Sequence, residues 1–183
     1  MKESYKILGI DPGTNVLGYS VLEIYKKTPQ VITLGIIHLK NLADHQSKLR
    51  EIFLQIQEII ECYLPECMAI EAPFYGRNVQ SMLKLGRAQG VAMAAGMTMG
   101  IAISEYAPKK VKMSITGNGN ASKEQVAGML EQILSYSMKE QHLDATDALA
   151  VAVCHFHQNL QLANKSQYKD WGAFIKANPG KIK

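Results

Sequence analysis

Three β-rich runs within the first 39 residues constrain the fold more than any other feature of this chain. Tyr5–Asp11 is short, largely apolar and ends at Pro12-Gly13. Two more runs cover roughly 17–24 and 30–39, the last carrying Val31, Ile32, Leu34, Ile36 and Ile37. The links, Asp-Pro-Gly-Thr-Asn and Lys-Lys-Thr-Pro, are short and hold turn residues. This spacing predicts an antiparallel three-strand meander. The apolar period then changes. Segment 44–63 has helical spacing, with Leu49, Ile52, Phe53, Ile56, Ile59 and Ile60 on one side. Cys67–Glu71 reads as a short buried strand before Ala72-Pro73. A helix is expected over 78–98 and a strand over 101–106. Another helix begins near Ser122, where Ser122 and Gln125 have capping-box spacing, and a last one covers 144–160. The prediction is an α/β domain with a mixed five-stranded sheet flanked by helices.

A chain of 183 residues suits one domain rather than two. That domain is expected over 1–163, followed by a flexible lysine-bearing tail over 164–183 that contains Pro179-Gly180. No apolar run approaches the ~18 residues of a membrane span, so no membrane association is expected. The N-terminal residues carry no signal-like apolar region, and Cys62, Cys67 and Cys154 read as reduced core thiols. Both features predict a cytoplasmic location. Residues 164–183 hold five lysines and one aspartate, a net +4 that equals the charge of the whole chain. Within the neutral remainder, segment 77–123 carries Arg77, Lys84, Arg87, Lys109, Lys110, Lys112 and Lys123 against Glu105 alone. A basic stripe on a neutral body fits a polyanionic partner, and equally a solvated lysine-rich face.

The acids near strand ends carry the chemistry. Alternation puts Ile7, Gly9 and Asp11 on one face of the first strand, and Ala69 and Glu71 share a face of the fourth. Each acid thus follows a tiny side chain two residues earlier, which is expected to leave room above the sheet for a metal and a phosphate. Pro12 holds Asp11 extended, and Gly13 allows the tight turn. Asp144 and Asp147 are one helical turn apart and can point the same way. A cluster of four carboxylates would repel itself unless a hard divalent cation relieved it, and Mg²⁺ is the usual choice beside a phosphate. Singly, Asp11 also reads as a turn residue, and Asp144 with Asp147 as a helix cap with an acid in its first turn.

These residues resemble a known family. Ile7-Leu-Gly-Ile-Asp-Pro-Gly-Thr-Asn-Val-Leu-Gly-Tyr19 is similar to the opening strand and turn of RuvC-type Holliday junction resolvases, which belong to the RNase H-like superfamily. Ala69-Ile-Glu-Ala-Pro-Phe-Tyr-Gly-Arg-Asn78 resembles the second carboxylate and its loop, and Leu83-Lys-Leu-Gly-Arg-Ala-Gln-Gly90 the central helix. Tyr106–Val126 resembles the basic DNA-contacting segment, and Asp144-Ala-Thr-Asp-Ala-Leu-Ala-Val-Ala-Val153 the final catalytic helix. The blocks follow the family's order over about residues 5–160.

The resemblance implies an RNase H-like fold. It also implies a structure-specific endodeoxyribonuclease that resolves four-way junctions by paired nicks in recombination and repair. Asp11, Glu71, Asp144 and Asp147 become catalytic metal ligands for two Mg²⁺ per subunit, with Mn²⁺ as a substitute. Phe74 would stack on a base at the crossover, and Lys112 and Lys123 would contact the scissile strand, with Arg77, Lys84 and Arg87 as further DNA contacts. Implied partners are junction DNA, a second copy of the chain, and junction-binding and branch-migration motor proteins of the RuvAB type.

Other features leave alternatives open. Gly86, Gly90 and Ala94 recur every four residues, which suits either a dimer contact or close packing on the chain's own sheet. The Gly117-Asn-Gly-Asn120 loop precedes a helix, so its amides could hold a phosphate, or it is a plain connector. His142, His155 and His157 lie near the last helix as tuning groups or as ordinary histidines. Asp-Pro-Gly-Thr also occurs in actin-like and sugar-kinase ATPases, but those need two such domains around a nucleotide.

Overall fold

The computed structural model describes residues 4–73, 78–139 and 141–165, together with Ile175. Its elements run β1 (Ser4–Asp11), β2 (Val16–Tyr25), β3 (Thr28–His38), α1 (His45–Tyr63), β4 (Cys67–Glu71), α2 (Val79–Thr98), β5 (Ala102–Tyr106), α3 (Pro108–Thr116), α4 (Lys123–Leu134) and α5 (Leu143–Lys165). The sheet order is β3-β2-β1-β4-β5. The pairs β1–β2 and β2–β3 are antiparallel, whereas β1–β4 and β4–β5 are parallel. This is the mixed five-stranded α/β sheet expected from the sequence.

The alternation read in β1 divides the core. Leu8 and Ile10, with Met68 and Ile70 of β4, bury themselves under α1 and α2. Ile7 and Ala69 face the opposite layer, built from α3, α4 and α5. Each large side chain that is fully buried contributes about 1.5–3 kcal/mol, so a one-residue slip of β1 would exchange its two faces and lose much of both layers.

Local departures have local causes. Lys26 and Lys27 join β2 to β3 with φ of 48° and 68°, the backbone pattern of a two-residue hairpin turn. Strand β3 therefore starts at Thr28, earlier than expected, and includes Pro29. An edge strand tolerates a proline because one side of its ladder has no partner. Helix α3 adds a helix within the basic segment beyond those expected from the sequence. Pro108 at its first turn and buried Val111 and Ile115, four residues apart, are its sequence signals. The expectation of three core thiols needs correcting: Cys154 is buried, Cys67 is half-buried, and Cys62 on α1 is exposed. Among the described residues no helix is long and apolar enough to cross a membrane.

Candidate metal centre and nucleic-acid cleft

Asp11 ends β1 and Glu71 ends β4. The register pairs Ile10 with Ile70 on these parallel strands, so the two acids leave the sheet side by side at its carboxyl end. Helix α5 brings Asp144 and Asp147 to the same edge. One carboxylate oxygen from each of Asp11, Asp144 and Asp147 lies within 4.8 Å of the others. Glu71 falls outside that triad but lines the same cleft with Asp11, Asp147, Lys112 and Lys123.

The expected room above Gly9 does not exist. A Cβ at Gly9 would lie 2.2 Å from the Ala148 carbonyl oxygen and 2.9 Å from the Ala152 Cβ. The missing side chain instead lets α5 settle onto the bare backbone of β1, and Gly18 on β2 does the same beneath Asp144. The small residues thus deliver the helical acids to Asp11, and the cleft opens beyond them.

The electrostatics follow from crowding. Burial first, and then the charges of Glu71, Asp147 and Asp144, push Asp11 up to about 8. Burial, followed by Asp147, pushes Glu71 up to about 7, while Lys123 and Lys112 pull it back. Lys123, at the start of α4, forms an ion pair with Asp147. Lys112 on α3 donates from Nζ to the Ala121 carbonyl at 2.7 Å, which ties its ammonium to the start of α4. Oxygen-only donors, partly desolvated and mutually repelling, fit a hard divalent cation.

Lys84 and Arg87 are exposed on α2, while Phe74 and Arg77 lie outside the described residues. Most of the loop before α4 is satisfied from within, which favours the plain connector. The amides of Asn118, Asn120, Ala121 and Ser122 already donate to Thr116 Oγ1, Asn118 Oδ1, the Asn118 carbonyl and Gln125 Oε1. The histidines divide. His142 places Nδ1 3.1 Å from Asp144 Oδ2. His155 is buried against Tyr106 and Cys67, whereas His157 is half-buried and bonds Ser114. Gly86 and Gly90 do not pack on the sheet, since a Cβ at either would meet nothing within 4 Å. They share a face of α2 with Val79, Leu83 and Met97, which are 56%, 49% and 59% exposed. Ala88, Ala92 and Ala95 make the buried face opposite.

A mixed sheet with acids at the ends of β1 and β4, closed by a helix bearing two more, defines an RNase H-like domain of the junction-resolvase type. The structure of Thermus thermophilus RuvC in complex with a Holliday junction substrate superposes with a TM-score of 0.78 at 27% identity, covering 86% of this chain and 96% of that one. The yeast mitochondrial resolvase Ydc2 shares the fold at a TM-score of 0.67 and 15% identity, over 86% of this chain and 80% of its own. A Bacteroides fragilis protein named crossover junction endodeoxyribonuclease RuvC is 54% identical over 179 residues, 97% of this chain and 95% of its own. A protein of that name from Cytophaga hutchinsonii is 56% identical over 177 residues, 97% of this chain and 88% of its own. The family described as crossover junction endodeoxyribonuclease RuvC matches residues 7–155, and the chain belongs to it.

Proposed function

We propose that this chain is a metal-dependent endonuclease that resolves four-way DNA junctions by paired, symmetric nicks during recombination and repair. The observation that carries this reading is the meeting of Asp11, Asp144 and Asp147 at the edge of a cleft lined by Glu71, Lys112 and Lys123. Asp11, Glu71, Asp144 and Asp147 would hold the cations between them. Bound Mg²⁺, two ions per subunit with Mn²⁺ as a substitute, supplies water activation and charge neutralisation for in-line phosphodiester hydrolysis.

The chain's own residues supply the rest. Lys112 and Lys123 draw the scissile phosphate into the cleft and offset its charge. Lys84 and Arg87, exposed on α2, are assigned further contacts with the DNA, as is Arg77. Phe74 is assigned the stacking role on a base at the crossover. Cleavage leaves a 5′-phosphate and a 3′-hydroxyl in this reading, ends that a ligase can join.

Two matched nicks on a two-fold symmetric substrate call for a C₂ homodimer. The exposed α2 face of Val79, Leu83, Gly86, Gly90 and Met97 is the proposed contact, because glycines there let a second helix approach closely. The enzyme would act in the cytoplasm beside junction-binding and branch-migration motor proteins of the RuvAB type. A nicking assay on a mobile four-way junction and on linear duplex of the same sequence, with Mg²⁺ or EDTA, tests the reading. Mg²⁺-dependent paired cuts confined to the junction support it. Binding without cuts, across several sequences and with Mn²⁺, would leave a binding protein instead.

A further inference from the structure

The β1–β2 turn and the first turns of α1 and α2 enclose a second pocket beside the carboxylate cleft. Its polar walls include Thr14, Asn15, His45, Lys48, Ser81 and Lys84. Lys48 is held in place from within the fold: its Nζ donates to the Thr14 carbonyl at 3.1 Å and to Asn15 Oδ1 at 2.9 Å. An ammonium has three N–H groups, so one remains for a ligand. Lys84 faces it from α2, exposed and without a hydrogen-bond or ion-pair partner among the described residues. His45 Nε2 is buried and has no hydrogen-bond partner among them either. One acid, Asp44, also lines the pocket. Its oxygens are engaged by the Ser47 amide at 2.7 Å and the Ser47 hydroxyl at 3.1 Å, as the cap of α1. The two lysines outweigh it, which disfavours a cation and favours an anion.

We propose that this pocket is a phosphate subsite for the DNA strand that enters the carboxylate cleft, an inference that rests on the nuclease reading. Thr14 follows Asp11 by three residues, so chain geometry keeps them within about 10 Å. Phosphates along one strand of a duplex are spaced by about 3.4 Å of axis. In this proposal the pocket takes a non-scissile phosphate one to three nucleotides from the cut. Lys48 and Lys84 grip it from opposite walls, with the Thr14 and Ser81 hydroxyls as further donors. Such a contact carries no base information; it sets the register of the strand over the carboxylates.

Junction binding in EDTA, measured across a salt series, tests the proposal. The double substitution Lys48→Met with Lys84→Met is expected to weaken binding several-fold and to lower the steepness of log K against log salt by about one, the loss of one phosphate contact. A junction with an uncharged methylphosphonate one to three nucleotides from the cut should bind wild type more weakly at one of those positions, with no further loss in the double variant. Lys48→Arg should restore the slope. Lys84→Met alone gives a second readout, because Lys84 braces no turn. A double variant that keeps the full salt slope, or the wild-type methylphosphonate pattern, overturns the subsite. A wild-type protein that neither binds nor nicks junctions overturns the nuclease reading and the subsite with it.

Discussion

The carbonyl oxygen of Asp144 sits so close to Gly18 that a Cβ at position 18 would lie 1.9 Å from it. Gly18 is also the register partner of Asp11. One point on the β1–β2 ladder therefore carries the strand acid and seats the helix that brings the other acids to it. Gly18→Ala must push the start of α5 away. Expected outcomes are a loss of about 1–3 kcal/mol in denaturant unfolding, as for overpacking, and a fall of about 100-fold in nicking rate, as for misplaced reacting groups. Wild-type stability and rate together would show that α5 is not held there.

The acids set a pH dependence. Asp11 sits near 8 and Glu71 near 7 in the fold, against ordinary values of 3.8 and 4.5. Between those limits the folded chain binds more protons than the unfolded one, so their contribution to stability falls as pH rises. Asp11→Asn removes the charge that burial and its neighbours oppose. In EDTA its Tm advantage over wild type should be small at pH 5 and grow toward pH 8. Mg²⁺ competes with the same protons, so wild-type affinity for the ion should rise over the same range, read by calorimetry. A Tm difference that shrinks with pH would contradict the assignment.

Lys123 is bound to Asp147 and lowers the proton affinity of both Asp11 and Glu71. Lys123→Met should move the midpoint of pH-dependent Mg²⁺ binding upward. It should also cut nicking by about 10²-fold, the usual cost of removing one charge-stabilising donor. An unmoved midpoint would mean that the ion pair does not couple to the carboxylates.

The exposed face of α2 gives a test of assembly. Leu83 is 49% exposed and lies on the stripe opposite the buried alanines. Leu83→Glu should leave thermal stability nearly unchanged, since the side chain supports no core. It should shift sedimentation from a dimer to a 20.2 kDa monomer. A variant that stays dimeric would move the interface elsewhere.

Much of the architecture was legible because it follows local rules. The period-2 pattern of β1 correctly assigned Leu8 and Ile10 to one layer and Ile7 to the other. The Ser122–Gln125 capping box is formed as its spacing predicted. Gly9 reads in sequence as open room, because a missing side chain looks the same there whether a ligand or a helix fills the space. Long-range pairings left little local trace: Lys123 meets Asp147, and Lys48 reaches Asn15. The loop before α4 reads in sequence as either a phosphate-holding loop or a plain connector, and only its internal hydrogen bonds show where several of its amides point.

The most direct test of the carboxylate site compares wild type with Asp11→Asn on a mobile four-way junction in Mg²⁺, with cuts mapped on all four strands and binding followed in parallel. Wild type should cut two opposed strands symmetrically, and the variant should bind undiminished without cutting. Nicking by Asp11→Asn at close to the wild-type rate would contradict the claim that the carboxylates at the ends of β1, β4 and the start of α5 do the chemistry.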